Sequence, residues 1–315
     1  MMAAEAAVPR CAPSRSGRVM APQRRDGYPR SAPATAGSNA IRGQENSPLQ
    51  PSVDEILKRI DASLRAATAL GETFRPETIL VEKKKGGSPV TAADHALDAL
   101  LHKELMREGE GWLSEESVDD PVRLECPLTW IVDPIDGTRD FTEGSPEWSV
   151  SVGCAWKGKL LAGGVAQPAK GIIMLGAPGA GVWKNGEPVA PRTNIPVKGA
   201  RVLASRSEIR RGEWEAFANA PFEVIPLSSI ALKLAQVGVG DAEASWALGP
   251  KNEWDIAGGA ALAIAAGYDV YFADGKPLRF NNANPLIRGV IAIPDPATSP
   301  EWESVAKRLE GQAHD

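Results

Sequence analysis

The chain of 315 residues is long enough to bury a large core in one or two domains. Its formal net charge of −5 gives no reason to expect nucleic acid as a partner, and no apolar run approaches the roughly 20 residues of a membrane helix, so we expect no membrane association. Three widely separated cysteines (Cys11, Cys126 and Cys154) argue against a disulfide framework and favour a cytoplasmic location.

Residues 1–50 differ in composition from the rest of the chain. They carry seven arginines and three acidic residues, a charge of +4, which leaves −9 for the remainder. The segment is rich in Pro, Ser, Ala and Gly and lacks an apolar period, which predicts a disordered extension. A misplaced start of the sequence is an alternative explanation of this segment, with Met20 as another candidate for the first residue. A targeting presequence is an alternative, because such segments are rich in Arg and Ser and poor in acids.

Helical periodicity begins at Ser52. The spacing of apolar residues from Val53 to Ala67 predicts an amphipathic helix, with Ser52 and Glu55 as a capping box and Gly71 as its end. A basic loop containing Lys83, Lys84 and Lys85 follows. The segment "TAADHALDALLHKELM" then predicts a second helix.

Strand-like segments dominate after Gly111. The predicted strands are "LTWIVD", "WSVSVGCAW", "LLAGGVAQP", "GIIMLGA" and "GVWKNGEPV". In the second of these, Trp148, Val150, Val152 and Cys154 alternate with small or polar residues and are predicted to share one face. Lys184-Asn185-Gly186 predicts a hairpin turn.

Strands and helices alternate from Ala200 onward. "RVLASRS", "FEVIPLS", "EASWAL" and "VIAIP" are predicted strands, and "IRRGEWEAFANA", "IALKLAQVGVGD" and "WDIAGGAALAIAAG" are predicted helices, the last packed through small residues. We therefore predict a mixed α/β (α+β) chain of two closely joined halves. Residues 51–198 carry most of the candidate site, and residues 199–315 complete it.

Acidic residues stand beside apolar or turn-forming stretches at four places: Asp94, Glu115-Glu116, the pair Asp133 and Asp136, and Asp255. A hard cation such as Mg²⁺ takes oxygen ligands in near-octahedral geometry, so several carboxylates must converge to hold it. In "VDPIDGT" a strand ends at Asp133, and a stiff turn can direct the carbonyl of Ile135 and the carboxylate of Asp136 toward one ion. Each feature alone also has a simpler interpretation, as a turn, a solvated loop or an acid in the first turn of a helix.

Taken together and in this order, "SPVTAAD", "LSEE", "WIVDPIDGT" and "WDIAGGAALAIAAG" resemble the inositol monophosphatase superfamily of Mg²⁺-dependent, lithium-sensitive phosphatases. The resemblance covers roughly Ser52 to Ile293. It implies a layered α/β/α/β/α sandwich with the active site between its two halves.

The resemblance also implies roles for individual residues. One Mg²⁺ would be held by Glu115, Asp133 and the carbonyl of Ile135, and a second by Asp133, Asp136 and Asp255. Glu115 would also help a third, weaker ion. Asp94 and Thr138 would orient the attacking water, and the backbone amides of Gly137 and Thr138 would meet the phosphate. Because a bound metal lowers the pKa of water, no nucleophilic side chain is required, and we assign no catalytic role to His95, His102 or His314.

Four segments further resemble the branch of 3′(2′),5′-bisphosphate nucleotidases, which remove the 3′-phosphate of adenosine 3′,5′-bisphosphate. They are Arg139-Asp140-Phe141, "ASRS", the helix start with Ser229 and Lys233, and "GPKNEWD". Inositol phosphatases place a substrate-contacting Glu seven residues before the last aspartate, where this chain has Leu248. Ile230-Ala231 departs from the serines of many nucleotidases, which leaves the adenine and ribose contacts open.

A bisphosphate nucleotide needs cations for its second phosphate. Arg206 could bind it as a bidentate fork and Lys233 as a point charge, with Ser229 as a further substrate contact. A surface helix lysine is the alternative for Lys233. The basic loop at Lys83–Lys85 would attract an anionic substrate to the mouth of the site.

Other functions remain open at this point. Within the class they are an inositol-1-phosphatase or a broad sugar-phosphate phosphatase. From other classes they are a non-catalytic metal- or phosphate-binding regulator, against which the intact acidic set argues, and a nucleic-acid-binding protein, which only residues 1–50 support. The oligomeric state is expected to be a monomer or a homodimer.

Overall fold

Two β-sheets dominate the computed structural model, which describes residues 49–74, 81–83, 89–276 and 278–312. Nearly all of the predicted extension, Lys84, Lys85 and His314 lie outside the described residues. The helices are α1 (Val53–Gly71), α2 (Ala92–Leu105), α3 (Thr138–Thr142), α4 (Arg206–Arg210), α5 (Ile230–Gly238), α6 (Glu253–Ala265) and α7 (Glu303–Gln312). The strands are β1 (Val81–Lys83), β2 (Pro89–Thr91), β3 (Gly111–Ser114), β4 (Leu128–Asp136), β5 (Ser149–Trp156), β6 (Lys159–Gln167), β7 (Ile172–Ala177), β8 (Gly181–Lys184), β9 (Glu187–Pro188), β10 (Arg201–Ala204), β11 (Glu223–Pro226), β12 (Ala244–Ala247), β13 (Lys251–Asn252), β14 (Tyr268–Phe272), β15 (Leu286–Ile287) and β16 (Val290–Pro294).

The first sheet has seven strands in sequential order from β3 to β9. Strands β3 and β4 run parallel, and every later pair is antiparallel. The predicted hairpin at Asn185-Gly186 is confirmed, since both residues have positive φ angles (50° and 84°) as a type I′ turn requires.

Both faces of the first sheet are covered. One face packs on α1 and α2 in a core that includes Ile60, Leu97 and Val152. The other face carries small residues and meets α6 at very short range: a Cβ added at Gly153 would lie 2.5 Å from the Cβ of Ala257. The predicted alternation in β5 is therefore confirmed, but its small-residue face is buried rather than solvated.

The second sheet has five strands in the order β11-β10-β12-β16-β14. One of its faces, through residues such as Leu203 and Val290, joins a core with α5, α6 and the first sheet. Its other face packs on Trp302 and Leu309 at the C-terminal helix α7. The layers thus follow the predicted α/β/α/β/α order. The proposed boundary between residues 198 and 199 falls between β9 and β10 and stays a prediction, because the central core is shared by both halves.

Three local predictions need correction. Ser52 is the N-cap of α1, but its side chain makes no capping hydrogen bond. The helix predicted over 209–220 is wrong: α4 ends at Arg210, and the chain turns at Gly212 with a φ of 80°. That turn lets Trp214 stack on Trp246, with ring centroids 4.7 Å apart. The C-terminal helix α7 was not predicted.

Within the part of the chain that the structure describes, no helix is both long and apolar enough to span a bilayer.

Arg123 connects the first half to the start of α6. Its side chain is 1% exposed, forms an ion pair with Asp119 and donates to the side-chain oxygen of Asn281 and the carbonyl of Asn282. The buried carboxylate of Glu253 in turn accepts hydrogen bonds from the backbone amides of Asn281 and Asn282. This network fixes the N-terminal end of α6 against the strand β3 region.

We expect Arg123→Met to lower the free energy of unfolding by about 3 kcal/mol, because it leaves buried acceptors without a donor. Urea unfolding measures the change. The matched control is Arg65→Met, which removes an exposed ion pair with Asp61 and should change the free energy by less than about 0.5 kcal/mol. Equal effects of the two substitutions would contradict the assignment.

Candidate active site

The predicted site residues line one large open cleft of about 1400 Å³. Its lining includes predicted residues from both halves of the chain, namely Glu115, Asp133, Ile135, Asp136, Gly137, Thr138, Arg206, Lys233 and Asp255. Asp94 and Ser229 are buried directly behind this lining, in hydrogen bonds to Thr138 and Asp136. Residues separated by up to 161 positions, from Asp94 to Asp255, therefore meet in one place.

The turn after Asp133 has the shape that its sequence predicts. The pairing of β4 with β5 shifts between Asp133 and Asp136, which is where Pro134 lacks an N–H for the sheet. Gly137 follows with a φ of 99°, a left-handed conformation that favours glycine. The bend ends the strand at the cleft and starts α3 at Thr138.

Three carboxylates converge beside this turn. Glu115, Asp133 and Asp255 each place one oxygen so that all three lie within 4.8 Å of one another. Glu115 follows β3, and its backbone N–H donates to the carbonyl of Val132 in the neighbouring β4. Asp255 arrives from the first turn of α6.

Each of the four predicted aspartates is oriented by a backbone amide. One carboxylate oxygen of each accepts a hydrogen bond from an N–H: Asp94 from Thr91 (2.7 Å), Asp133 from Ile135 (3.0 Å), Asp136 from Ala231 (2.7 Å) and Asp255 from Asn252 (2.7 Å). At Asp94 and Asp255 this bond belongs to a helix capping box. Asp94 and Asp255 can therefore be both helix-capping acids and residues of the site, because capping engages one carboxylate oxygen and leaves the other for the site.

The electrostatics of this cluster fit a divalent cation. Burial, followed by the charges of Glu115 and three other acids, raises the pKa of Asp133 well above its usual value. Burial and the charge of Asp136 raise the pKa of Asp255 to about 8. Buried like charges repel one another unless a cation offsets them, and hard oxygen ligands suit Mg²⁺. The donor set therefore fits a Mg²⁺ site.

Thr138 and Asp94 form the second part of the site. The Thr138 hydroxyl lies 3.2 Å from Oδ1 of Asp94 and 3.2 Å from the carbonyl oxygen of Ile135. The other oxygen of Asp94 accepts from the hydroxyl of Thr91 at 2.7 Å. Asp94 is fully buried, so that its contact with the cleft runs through Thr138.

Ser229 has a role that the sequence did not indicate. Its hydroxyl donates to Oδ2 of Asp136 at 2.6 Å, accepts from the N–H of Leu232 at 3.0 Å, and lies 2.9 Å from the hydroxyl of Ser149. A hydroxyl has one hydrogen and two lone pairs, and these three partners use all of them. The prediction of a direct substrate contact is therefore corrected: Ser229 holds Asp136 in place.

Lys233 is buried, so the alternative of a surface lysine is wrong. Its Nζ donates to the carbonyl oxygens of Leu227 (3.1 Å) and Ser228 (3.0 Å). Burial lowers its pKa to about 8, while the charge of Asp136 opposes that shift. Most of its donors thus stabilise the loop before α5, with little left for a phosphate.

Two further residues, one that lines the cleft and one that contacts a lining residue, were not predicted from the sequence. Glu147 forms a two-pronged ion pair with Arg206. Lys251, in "GPKNEWD", lines the cleft with 22% of its side chain exposed, and its Nζ lies 3.6 Å from the buried carboxylate of Glu208. The position of Lys251, four residues before Asp255, was visible in the sequence. The contact of Glu147 spans 59 residues and has no local signal.

Comparison with known proteins places this cleft in context. The profile of the inositol monophosphatase family matches residues 52–305. The chain is 32% identical over 240 residues to the 3′-phosphoadenosine 5′-phosphate phosphatase of Mycobacterium leprae, covering 72% of this chain and 86% of that protein. It is 34% identical over 208 residues to the 3′(2′),5′-bisphosphate nucleotidase CysQ of Escherichia coli K12, covering 64% and 82%.

Solved structures show the same architecture. Thermotoga maritima IMPase superposes with a TM-score of 0.68 at 23% identity, covering 82% of this chain and 98% of that one. CysQ from Bacteroides thetaiotaomicron gives a TM-score of 0.62 at 25% identity, covering 76% and 97%. These likenesses confirm the layered fold predicted from the sequence.

Proposed function

Because the chain belongs to the inositol monophosphatase family, we propose that it is a Mg²⁺-dependent phosphomonoesterase that removes the 3′-phosphate of adenosine 3′,5′-bisphosphate. The observation that carries the proposal is the convergence of Glu115, Asp133 and Asp255 within 4.8 Å, next to the Thr138–Asp94 pair. Carboxylates alone would also suit a metal-binding regulator. The adjacent pair adds a means to orient water, which a regulator does not need.

Two or three Mg²⁺ ions are the proposed cofactors. Glu115, Asp133 and the carbonyl of Ile135 would hold one, Asp133, Asp136 and Asp255 a second, and Glu115 would help a third. Bound Mg²⁺ supplies positive charge that lowers the pKa of water and stabilises the charge of the transferring phosphoryl group. All of the proposed ligands are oxygens that reach the same cleft.

The remaining chemistry is assigned to side chains and amides of the chain itself. The Thr138 hydroxyl donates to Asp94, so that its oxygen can accept a hydrogen bond from the attacking water and direct a lone pair of that water at phosphorus. As the water attacks, it would give one proton to the Thr138 oxygen while the Thr138 hydroxyl proton passes to the carboxylate of Asp94. The N–H groups of Gly137 and Thr138, at the start of α3, would donate to the phosphate oxygens.

The substrate class is supported by the cleft beyond the carboxylates. Arg206 and Lys251 line it and offer cations for a second phosphate. Trp214, Phe217 and Val224 also line the cleft and offer it an apolar part for a base. The names of the Mycobacterium leprae and Escherichia coli relatives agree with a bisphosphate nucleotide.

Phosphate release from two substrates tests the proposal. With Mg²⁺, we expect adenosine 3′,5′-bisphosphate to be hydrolysed with a kcat/KM at least about tenfold above that for inositol-1-phosphate. Chelation of Mg²⁺ by EDTA should abolish both reactions. Better turnover of the inositol ester would favour inositol-1-phosphatase instead, and turnover that survives EDTA would contradict the metal assignment.

We also propose that the enzyme acts in the cytoplasm and is inhibited by lithium. Cys154 is a buried free thiol in the described structure, which agrees with a reducing compartment. Monomer or homodimer remains a prediction that sedimentation would test.

A further inference from the structure

Glu147 and Arg206 form an ion pair across the two halves of the molecule. Glu147 precedes β5, and Arg206 is the first residue of α4. The Nε of Arg206 donates to Oε2 of Glu147 at 3.0 Å, and its Nη2 donates to Oε1. The same Oε2 accepts from the N–H of Ser228 at 3.2 Å, so the start of α4 and the loop before α5 meet at this one carboxylate.

This pair lies next to the reacting end of the cleft. The carbonyl oxygen of Glu147 is 3.3 Å from the position that a Cβ at Gly137 would occupy. Gly137 begins the turn that presents Thr138. An ion pair at this place therefore borders the proposed phosphate position, whereas the residues of the exposed ion pairs of α1 do not line the cleft.

The guanidinium of Arg206 has two edges that can each bind an oxyanion. Glu147 takes the edge with Nε and Nη2, whereas Nη1 makes no hydrogen bond to any residue that the structure describes. The side chain of Arg206 lines the cleft and is 47% exposed, while that of Glu147 is only 19% exposed. The carboxylate thus fixes the arginine from behind and leaves a second edge available.

We propose that Glu147 is a specificity-determining positioning residue, which holds Arg206 so that its second edge receives a second anionic group of the substrate. The inference rests on the proposed function. Ordering a long side chain before binding removes an entropy penalty from the binding step. The charge of Glu147 opposes anion binding, but solvent screens this repulsion at a half-exposed arginine.

Kinetics with two substrates that share the scissile ester test this role. Adenosine 3′,5′-bisphosphate carries the second phosphate, and adenosine 3′-monophosphate lacks it. We expect Glu147→Ala and Arg206→Ala each to raise the KM for the bisphosphate about tenfold, because each removes or weakens a charge-assisted contact with the second phosphate. The KM for the monophosphate and both kcat values should stay within about twofold.

Additional variants separate positioning from structural roles. The double variant Glu147→Ala/Arg206→Ala should show no further loss beyond Arg206→Ala, because Glu147 acts through Arg206. Glu147→Gln keeps one acceptor and should have an intermediate KM. Glu143→Gln is the matched control: it removes one negative charge from the same cleft without a contact to Arg206, and should leave the substrate preference unchanged.

Several results would overturn the inference. An equal loss of kcat on both substrates in Glu147→Ala would show that Glu147 instead supports the loop before α5, through its hydrogen bond with the N–H of Ser228. Additive losses in the double variant, or a lower KM for the bisphosphate, would show that Glu147 does not position Arg206. A wild-type enzyme that does not prefer the bisphosphate over inositol-1-phosphate would refute the proposed function itself. A preference for the bisphosphate over adenosine 3′-monophosphate that is equal in the wild type and in Glu147→Ala would refute this inference alone.

Discussion

Asp133→Asn is expected to reduce turnover by at least about a thousandfold, because Asp133 is the proposed bridging ligand of two cations. The substitution is more severe than its size suggests. The N–H of Ile135 donates to Oδ1 of Asp133, so the amide oxygen of an asparagine must keep that position. Its NH₂ group then points toward the metal position and presents a donor where a cation needs an acceptor.

Turnover and cation binding are measured in parallel. Titration calorimetry with Mg²⁺ or Mn²⁺ should show loss of binding in Asp133→Asn, while circular dichroism stays that of the wild type. Asp61→Asn, on the exposed face of α1, is the control and should leave both measurements unchanged. Retention of Mg²⁺-dependent turnover in Asp133→Asn would rule out this residue as a ligand.

The metal-free protein is expected to lose stability, by several kcal/mol, as the pH rises from about 5 to about 8. The pKa of Asp255 in the folded chain is about 8, raised by burial and by Asp136, and burial also raises the pKa of Asp133. A raised folded pKa means that the native state binds more protons than the unfolded chain across this window. The stability that the protonated carboxyl groups contribute is complete at low pH and is lost as these groups ionise.

Urea unfolding at pH 5.5 and pH 8.0, with EDTA and with excess Mg²⁺, tests this prediction. Mg²⁺ should restore most of the lost stability at pH 8.0 and have little effect at pH 5.5, because protonated carboxylates bind cations weakly. Lys233, whose pKa is lowered to about 8, has the opposite sign and acts above this window, where stability rises with pH. Equal metal-free stability at the two pH values would contradict the prediction.

The carboxylates of the candidate site were expected because four motifs in order resemble one family, and local sequence determines the backbone geometry at each of them. Asp133 and Asp136 flank a proline turn, and Asp94 and Asp255 occupy capping positions that hydrogen bonds to nearby residues specify. The strands that carry them are marked by apolar runs. Ordered local patterns of this kind are visible in a single sequence.

The contacts between the halves could not be predicted in the same way. Ser229 resembled a substrate residue, but its neighbour Asp136 lies 93 positions away and uses its only hydrogen. Lys233 followed a polar helix start, yet the fold buries it. The helix expected around Trp214 failed because an aromatic cluster with Trp246 outweighs helical periodicity there. Such outcomes depend on tertiary packing, which no local pattern records.

The close packing of α6 on the first sheet has a consequence for folding during synthesis. Gly153 and Gly163 on the sheet leave room only for the backbone and small side chains of α6, which is made about 100 residues later in the chain. Until α6 leaves the ribosome, the strands β4 to β7 have one uncovered face, on which Ile131, Val165 and Met174 remain exposed to water. We therefore expect the N-terminal half to complete its fold only after synthesis of α6, the helix that also carries Asp255. Closure of the core and assembly of the proposed metal site would then be a single event.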